Sequence, residues 1–181
     1  MIAAPGSDAV RGGARIATEQ VDLVLGPGAP QVRLLDARSG GLGEMGLREL
    51  ARSQPAAAGG THVSRSYRYP YAVIAWHGAS VGIDIERIEC FVPGFASSIC
   101  TPSETIDWSA IEAPDDHLAS MWCSKEALSK ALGDALRYDP RRLESPILWP
   151  GGRAGPWRAQ RLAAPARHVV WICWRSQVQP A

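Results

Sequence analysis

The stretch Val81-Gly82-Ile83-Asp84-Ile85-Glu86 is the most informative part of this 181-residue chain. Its apolar and acidic residues alternate with a period of two. This pattern predicts a β-strand that buries Ile83 and Ile85 and projects Asp84 and Glu86 from the opposite face. Two neighbouring carboxylates repel each other, and Mg²⁺ commonly neutralises one or two of them while it also binds phosphate oxygens. The same alternation is equally typical of a solvated strand face.

A second charged segment, Trp122-Cys-Ser-Lys125-Glu126-Ala-Leu-Ser-Lys130, follows downstream. Of the 19 basic residues in the chain, only Lys125 and Lys130 are lysines. These two positions therefore favour a compact ammonium over the planar guanidinium of arginine. Read together with Asp84 and Glu86, the segment indicates a site for a metal-bound polyphosphate.

The spacing of this segment predicts a helix over residues 118–132, with Asp115 or Asp116 as N-cap and Gly133 as the C-terminal stop. At 3.6 residues per turn, one face of this helix is predicted to carry Trp122, Lys125, Glu126, Ser129 and Lys130. A Glu followed by Lys one turn later is also a common feature of solvated helices. The helix alone therefore leaves both interpretations open.

Together the two segments resemble the signatures of the 4′-phosphopantetheinyl transferases. That family has a (V/I)-G-(I/V)-D-(I/V)-E strand followed by a (W/F)-x-x-K-E-(A/S)-x-x-K helix, and both are complete here. Thr101-Pro-Ser-Glu104 stands where the family has a (T/S)-P-x-E turn. It is also a capping box with Pro at N1, which predicts a helix running toward Ile111.

Ser64-Arg65-Ser66 stands at the place of the family's S-H-S step, so Arg65 replaces a histidine. An arginine can bind phosphate bidentately without regard to pH. The alternative is a simple polar turn before the strand at 71–76. The family's Gly-Lys-Pro-like nucleotide-binding stretch has no counterpart in residues 51–60.

The resemblance implies an α+β fold of two similar halves related by a pseudo-twofold axis. The halves would be residues 1–78, which are abbreviated, and residues 79–181, which carry the metal and catalytic motifs, with a cleft between them. Because roughly 80 residues precede Asp84 and could supply the second half within one chain, the chain is more similar to the surfactin-type monomers than to the short, trimer-forming carrier-protein synthases. The shortness of the N-terminal half leaves a dimer as the alternative.

The activity that the resemblance implies is transfer of the 4′-phosphopantetheine arm of coenzyme A to a serine of an apo acyl or peptidyl carrier protein, with release of adenosine 3′,5′-bisphosphate. The implied Mg²⁺ ligands are Asp84, Glu86 and Glu126. The implied contacts to coenzyme A are Ser64, Arg65, Lys125 and Lys130, and the implied catalytic residues are Glu126, as candidate base, and Lys130.

Two other functional classes stay open. One is a protein on the same scaffold that binds coenzyme A or a carrier protein without turnover. The other is an unrelated Mg²⁺-dependent phosphohydrolase, for which paired acids and lysines would suffice. Arg137, Arg141 and Arg142 follow the motif helix and are candidates for binding an acidic carrier protein, although an arginine cluster is also typical of a solvated surface.

The composition is that of a globular protein, with 46% hydrophobic and 20% charged residues. A net charge of +1 gives no argument for a nucleic-acid or membrane partner. The four cysteines lack metal-site spacing and no secretory signal is recognised, so we expect free thiols in the cytoplasm. The four histidines, His62, His77, His117 and His168, are expected at the surface or in turns.

The remaining patterns predict a helix over residues 42–52 and a loop over 54–60. Predicted strands are 21–25, 32–35, 157–162 and 168–174. Strands 71–76 and 81–86 are predicted to form a hairpin through residues 77–80.

Overall fold

The computed structural model describes residues 19–23, 25–56, 59–104, 111–133 and 137–176. They form two antiparallel four-stranded sheets and three α-helices, an α+β fold. The N-terminal sheet contains β1 (Glu19–Leu23), β2 (Gln31–Asp36), β3 (His62–Arg68) and β4 (Tyr71–His77). The C-terminal sheet contains β5 (Val81–Arg87), β6 (Arg153–Ala154), β7 (Trp157–Leu162) and β8 (His168–Arg175). The helices are α1 (Glu44–Ser53), α2 (Phe95–Ile99) and α3 (Pro114–Leu132).

The elements stack in four layers, because both sheets are apolar on both faces. The inner faces of the sheets pack on each other through β-branched and aromatic side chains, among them Val32, Val73, Ile83, Ile172 and Trp174. The outer face of the N-terminal sheet is covered by α1 through Leu47 and Ala51. The outer face of the C-terminal sheet is covered by α3 through Ala119, Cys123 and Ala127. The central strands β4 and β8 are buried almost throughout, as covered sheets require.

The two sheets share a connection pattern. The strand order is β1-β2-β4-β3 in the N-terminal sheet and β5-β8-β7-β6 in the C-terminal sheet. The unit β2-α1-β3-β4 therefore runs strand, helix, strand, strand, with its last strand between the other two. The unit β5-α3-β7-β8 has the same order.

The predicted hairpin of 71–76 with 81–86 is wrong, although both strands are present. Each edge of β4 is already paired, one with β2 and the other with β3. The chain must therefore leave the N-terminal sheet after His77, and β5 begins the second sheet by pairing with β8.

Several local predictions need correction. The helix α3 begins at Pro114, and Ala113 is its N-cap without a side-chain hydrogen bond. Asp115 and Asp116 lie in the first turn, where their charge favours the helix dipole. The C-terminal stop is confirmed, because Gly133 adopts a left-handed φ of 86°. Ser64-Arg65-Ser66 lies within β3 and is not a turn.

Two of the histidines, His77 and His168, are buried in strands rather than at the surface. The Oε2 of Glu104 accepts a hydrogen bond from the Thr101 N–H at 2.7 Å, as the predicted capping box requires. The predicted continuation of that helix falls on residues 105–110, outside the described residues. The four cysteines are free. In the described ranges, no helix combines the length and apolar character needed to cross a membrane.

Candidate active site

The site is built where α3 crosses β5 with no side chain between the two backbones. A Cβ on Gly82 would lie 1.9 Å from the carbonyl oxygen of Ala127 and 2.5 Å from the nitrogen of Ala131. Only glycine therefore allows this approach, which explains the glycine of the Val81–Glu86 segment.

The close approach places the two motifs in register. Four residues of α3 advance about 6 Å along the helix axis, and two residues of β5 advance about 6.6 Å along the strand. Trp122, Glu126 and Lys130 therefore step along the strand in parallel with Glu86, Asp84 and Gly82. The pairs at both ends are visible as contacts, since the Trp122 indole donates to Glu86 and the Cβ of Lys130 lies 2.9 Å from the position of a Cβ on Gly82. From there the Lys130 ammonium reaches Asp84.

We expect Gly82→Ala to destabilise the protein by about 2–3 kcal/mol, because the added methyl group overlaps backbone atoms that cannot rotate away. Gly43→Ala is the matched control. Gly43 has an ordinary φ of −71° and open space around its Cα. Urea unfolding of both variants measures the difference, and equal stability of the two would contradict the close packing of α3 on β5.

Asp84 lies at the centre of the site and is 3% exposed. Its Oδ1 accepts hydrogen bonds from the Ser66 hydroxyl at 2.7 Å and from the Lys130 ammonium at 2.6 Å. Its Oδ2 is buried without a hydrogen-bond partner among the described residues. A buried anionic oxygen without a partner is costly, so this atom is suited to a cation.

Glu86 is the second acid on this face of β5. Its Oε1 accepts a hydrogen bond from the Trp122 indole N–H at 3.1 Å, and its Oε2 forms an ion pair with Arg68 at the end of β3. Trp122 therefore orients a carboxylate of β5. Both oxygens of Glu86 are occupied in this arrangement.

Glu126 faces the site from α3 and accepts a hydrogen bond from the Tyr138 hydroxyl at 3.3 Å. Burial and then the negative charge of Asp84 raise the pKa of Glu126 above its usual range. Such a carboxylate is a better proton acceptor than an exposed one.

The predicted three-acid metal set is not assembled in this arrangement. Across the part of the chain that the structure describes, no group of three His, Cys, Asp or Glu side chains is placed to hold a metal ion. Mg²⁺ needs only one or two carboxylates when phosphate oxygens and waters complete its shell. The free oxygen of Asp84 and the neighbouring Glu126 fit that requirement, while Glu86 is held by Arg68.

The two predicted phosphate contacts on β3 point in opposite directions. Ser64 accepts a hydrogen bond from the Ile83 N–H at 3.0 Å, and Ser66 reaches Asp84, so both serines face β5. The guanidinium of Arg65 donates to the carbonyl oxygen of Ala51 in α1 at 3.0 Å. The structure therefore brings the serines to the site and places Arg65 on the other face of the sheet.

Lys125 is also directed away from Asp84. Its ammonium is fully buried and donates to Glu104 at 2.5 Å, to the Ile99 carbonyl at 2.6 Å and to the Pro140 carbonyl at 2.9 Å. All three of its N–H groups are used, so none is left for coenzyme A. The predicted phosphate contact of Lys125 is therefore not supported by its surroundings. Its partner is a carboxylate inside the protein.

Glu104 anchors this buried network. Besides Lys125, it accepts hydrogen bonds from the backbone N–H groups of Thr101 and Ser145. Burial acts to raise the pKa of Glu104, but these three donors together hold the pKa below its usual range. The network fixes α3 to the segments on either side of it.

A cavity of about 250 Å³ adjoins the site on the C-terminal side of α3. It is lined by Ser129, Leu132, Arg137, Tyr138, Asp139, Arg142 and Leu143. Tyr138 connects the two, because it lines the cavity and binds Glu126. Of the predicted arginine cluster, Arg137 and Arg142 line the cavity, while Arg141 is paired with Asp139.

Sequence reasoning missed three functional side chains: Ser66, which binds Asp84, Arg68, which binds Glu86, and Tyr138, which binds Glu126. A signal for the first two was present. The side chains of Ser64, Ser66 and Arg68 occupy alternate positions of β3 and point to the face toward β5, whereas the side chain of Arg65 points to the opposite face. Nothing in the sequence points to Tyr138, because its contact depends on the path of the chain after α3.

Residues 80–170, half of the chain, match the model of the 4′-phosphopantetheinyl transferase superfamily. No curated protein matches the sequence significantly. The matched residues contain β5 and α3, so they include Asp84, Glu86, Glu126 and Lys130. Members of this superfamily use coenzyme A as substrate, typically with a divalent metal ion. On the strength of this match, the chain belongs to the 4′-phosphopantetheinyl transferase superfamily.

Proposed function

We propose that this protein transfers the 4′-phosphopantetheine arm of coenzyme A to a serine hydroxyl of an apo acyl or peptidyl carrier protein and releases adenosine 3′,5′-bisphosphate. The observation that carries the proposal is the arrangement at Asp84. A buried carboxylate there has one oxygen bound by Lys130 and Ser66 and the other without a partner among the described residues. A hard cation and a pyrophosphate would complete such a site.

The proposed architecture is that of a surfactin-type monomer with two halves related by a pseudo-twofold axis. The shared order of β2-α1-β3-β4 and β5-α3-β7-β8 supports it. The halves meet at β3 and β5, where Ser64 and Ser66 of one half contact Ile83 and Asp84 of the other. One chain would thus supply both walls of the cleft. The proposed location is the cytoplasm.

In this proposal the residues of the chain act mainly by positioning and by neutralising charge. The Lys130 ammonium would offset the negative charge of the phosphates beside Asp84. Ser66 would fix the rotamer of Asp84, and Tyr138 that of Glu126. Glu126 would accept the proton of the carrier serine as the serine oxygen bonds to the phosphorus of the phosphopantetheine arm and the bond from that phosphorus to the departing adenosine 3′,5′-bisphosphate breaks. Burial raises the pKa of Glu126 in the fold, and a cation held by the same carboxylate would lower its basicity.

Asp84 and Glu126 would hold Mg²⁺, and Glu86 would become available once its ion pair with Arg68 opens. When bound, the ion would polarise the pyrophosphate and stabilise the leaving phosphate. The negative charges of Asp84 and Glu126 repel each other, and a bound cation would offset this repulsion. After burial, the same repulsion is the second cause of the raised pKa of Glu126.

The carrier protein would approach from the side of the cavity beside α3. Arg137 and Arg142 line that cavity together with Asp139, which Arg141 binds and whose pKa Arg141 and Arg142 lower. The arginines beside the proposed base outnumber this acid and suit the acidic surface that is typical of carrier proteins.

A mass measurement tests the proposed function. Incubation with coenzyme A, Mg²⁺ and a panel of apo carrier proteins should add one phosphopantetheine, about 340 Da, to at least one carrier. Binding of coenzyme A or carrier without a mass gain would instead indicate a non-catalytic binding protein. Release of inorganic phosphate without a mass gain would indicate a phosphohydrolase.

A further inference from the structure

Arg68 is placed where it controls one carboxylate of the proposed metal site from the opposite half of the fold. It is the last residue of β3 and has the same parity as Ser64 and Ser66, so its side chain points across to β5. There it pairs with Oε2 of Glu86, whose other oxygen is held by Trp122. The ion pair therefore joins the two sheets beside Asp84.

The pair is unequal in its exposure. The side chain of Glu86 is 14% exposed and that of Arg68 is 46% exposed. Within the described ranges, Glu86 is the only ion-pair partner of Arg68, and about half of the Arg68 side chain is accessible to solvent. A guanidinium in this state can accept a phosphate through two parallel N–H donors, and exposed ion pairs are weak enough to be exchanged.

The surroundings of Arg68 are basic. Burial, and then the charges of Arg87, Arg68 and Arg38, lower the pKa of His168 beneath them. Arg38 is neutralised by Asp36, whereas Arg87 is exposed. Arg87 and the exposed part of Arg68 are therefore the basic groups that an anionic ligand meets at this end of the two sheets, and Arg68 is the one in contact with an acid of β5.

We propose that Arg68 withholds Glu86 from the metal site in the substrate-free protein and passes from Glu86 to a phosphate of coenzyme A when that substrate binds. Glu86 then keeps its hydrogen bond from Trp122 and is free to add a third carboxylate beside Asp84 and Glu126. The inference rests on the proposed function for the identity of the phosphate ligand, but its first claim concerns only this chain and a divalent cation.

Binding of Mn²⁺ to the purified protein, without coenzyme A or carrier, tests the first claim. Arg68→Gln should bind Mn²⁺ at least about fivefold more tightly than wild type in electron paramagnetic resonance titrations, because Glu86 is released. Arg87→Gln is the matched control. It removes the same charge next to Glu86 but breaks no ion pair in the described structure, so its affinity should change less than about twofold.

A double-mutant cycle separates release of Glu86 from a general charge effect. Glu86→Gln should change Mn²⁺ affinity by less than about twofold in the wild-type background, where Arg68 occupies the carboxylate. In the Arg68→Gln background, Glu86→Gln should remove the whole gain. An affinity that is unchanged or weaker in Arg68→Gln, or a gain that survives Glu86→Gln, would overturn the claim.

Calorimetric binding of coenzyme A without metal tests the second claim. Arg68→Gln should weaken binding by roughly tenfold, the effect of losing one charge-assisted contact to phosphate. Unchanged affinity in a variant that remains folded by circular dichroism would overturn the phosphate exchange. Neither binding measurement requires turnover. If both give the expected result while no carrier protein gains mass, the role of Arg68 stands and only the proposed transferase function is contradicted.

Discussion

Asp84→Ala should abolish phosphopantetheinyl transfer, and Glu126→Gln should reduce it by at least about a hundredfold, while both proteins stay folded. Asp84 is the acid with the free buried oxygen, and Glu126 is the proposed proton acceptor. Conversion of a carrier protein, followed by chromatography at saturating Mg²⁺, measures both variants. Full activity in either one would remove that acid from the site.

Of these two substitutions, Glu126→Gln should not reduce stability, whereas Asp84→Ala should reduce it because Lys130 and Ser66 lose their buried partner. The pKa of Glu126 is raised in the fold, so its ionised form opposes folding at neutral pH, and the neutral Glu126→Gln variant should melt at the same temperature or higher. Ser53→Ala is a suitable control for activity, because Ser53 ends α1 and its exposed hydroxyl donates only within that helix. Loss of activity together with unfolding would point to a structural role instead.

Lys125→Met should destabilise the protein by about 3–5 kcal/mol, the cost of leaving Glu104 as a buried charge without its cation. Both side chains are fully buried, which makes this pair different from the surface pairs of the protein. Arg48→Met breaks the exposed pair with Glu44 and is the matched control, with an expected loss below about 0.5 kcal/mol. Denaturant unfolding at pH 7 measures both.

The pH dependence gives a second check on the same pair. Because the pKa of Glu104 is held below its unfolded value, ionised Glu104 stabilises the fold above about pH 4.3 and this contribution is lost as the pH falls through the folded pKa. Without Lys125, burial should raise that pKa above the unfolded value. The stability difference between wild type and Lys125→Met should therefore shrink on acidification, and a constant difference would show that Glu104 is not the source of the loss.

The sequence predicts the local elements of the site well because their periods are short. The two-residue alternation of Val81–Glu86 gives β5, and the position of Gly133 gives the end of α3. The rise of four helix residues nearly equals the rise of two strand residues, and this is also a local property. Which residues face each other depends on how α3 crosses β5, so the meeting of Asp84 and Lys130 is implied by the family resemblance and not by these periods.

The structure directs two other predicted site residues, Lys125 and Arg65, away from Asp84, and a simple directional argument was available for both. Lys125 and Lys130 are five residues apart, about 140° around a helix, so they cannot both face β5. Ser64 and Arg65 are adjacent on a strand and therefore point to opposite faces. The pairing of β5 with β8 is different, because it depends on β4 having both edges occupied, which no local pattern reveals.

The most direct measurement of the central claim is a product count from one reaction of the wild-type protein with coenzyme A, Mg²⁺ and an apo carrier protein. Adenosine 3′,5′-bisphosphate, quantified by chromatography, should equal the amount of carrier that gains the phosphopantetheine mass, and neither should form with a carrier whose acceptor serine is replaced by alanine. Release of the bisphosphate without modified carrier, or a modified carrier that lacks the serine, would contradict transfer to a serine hydroxyl.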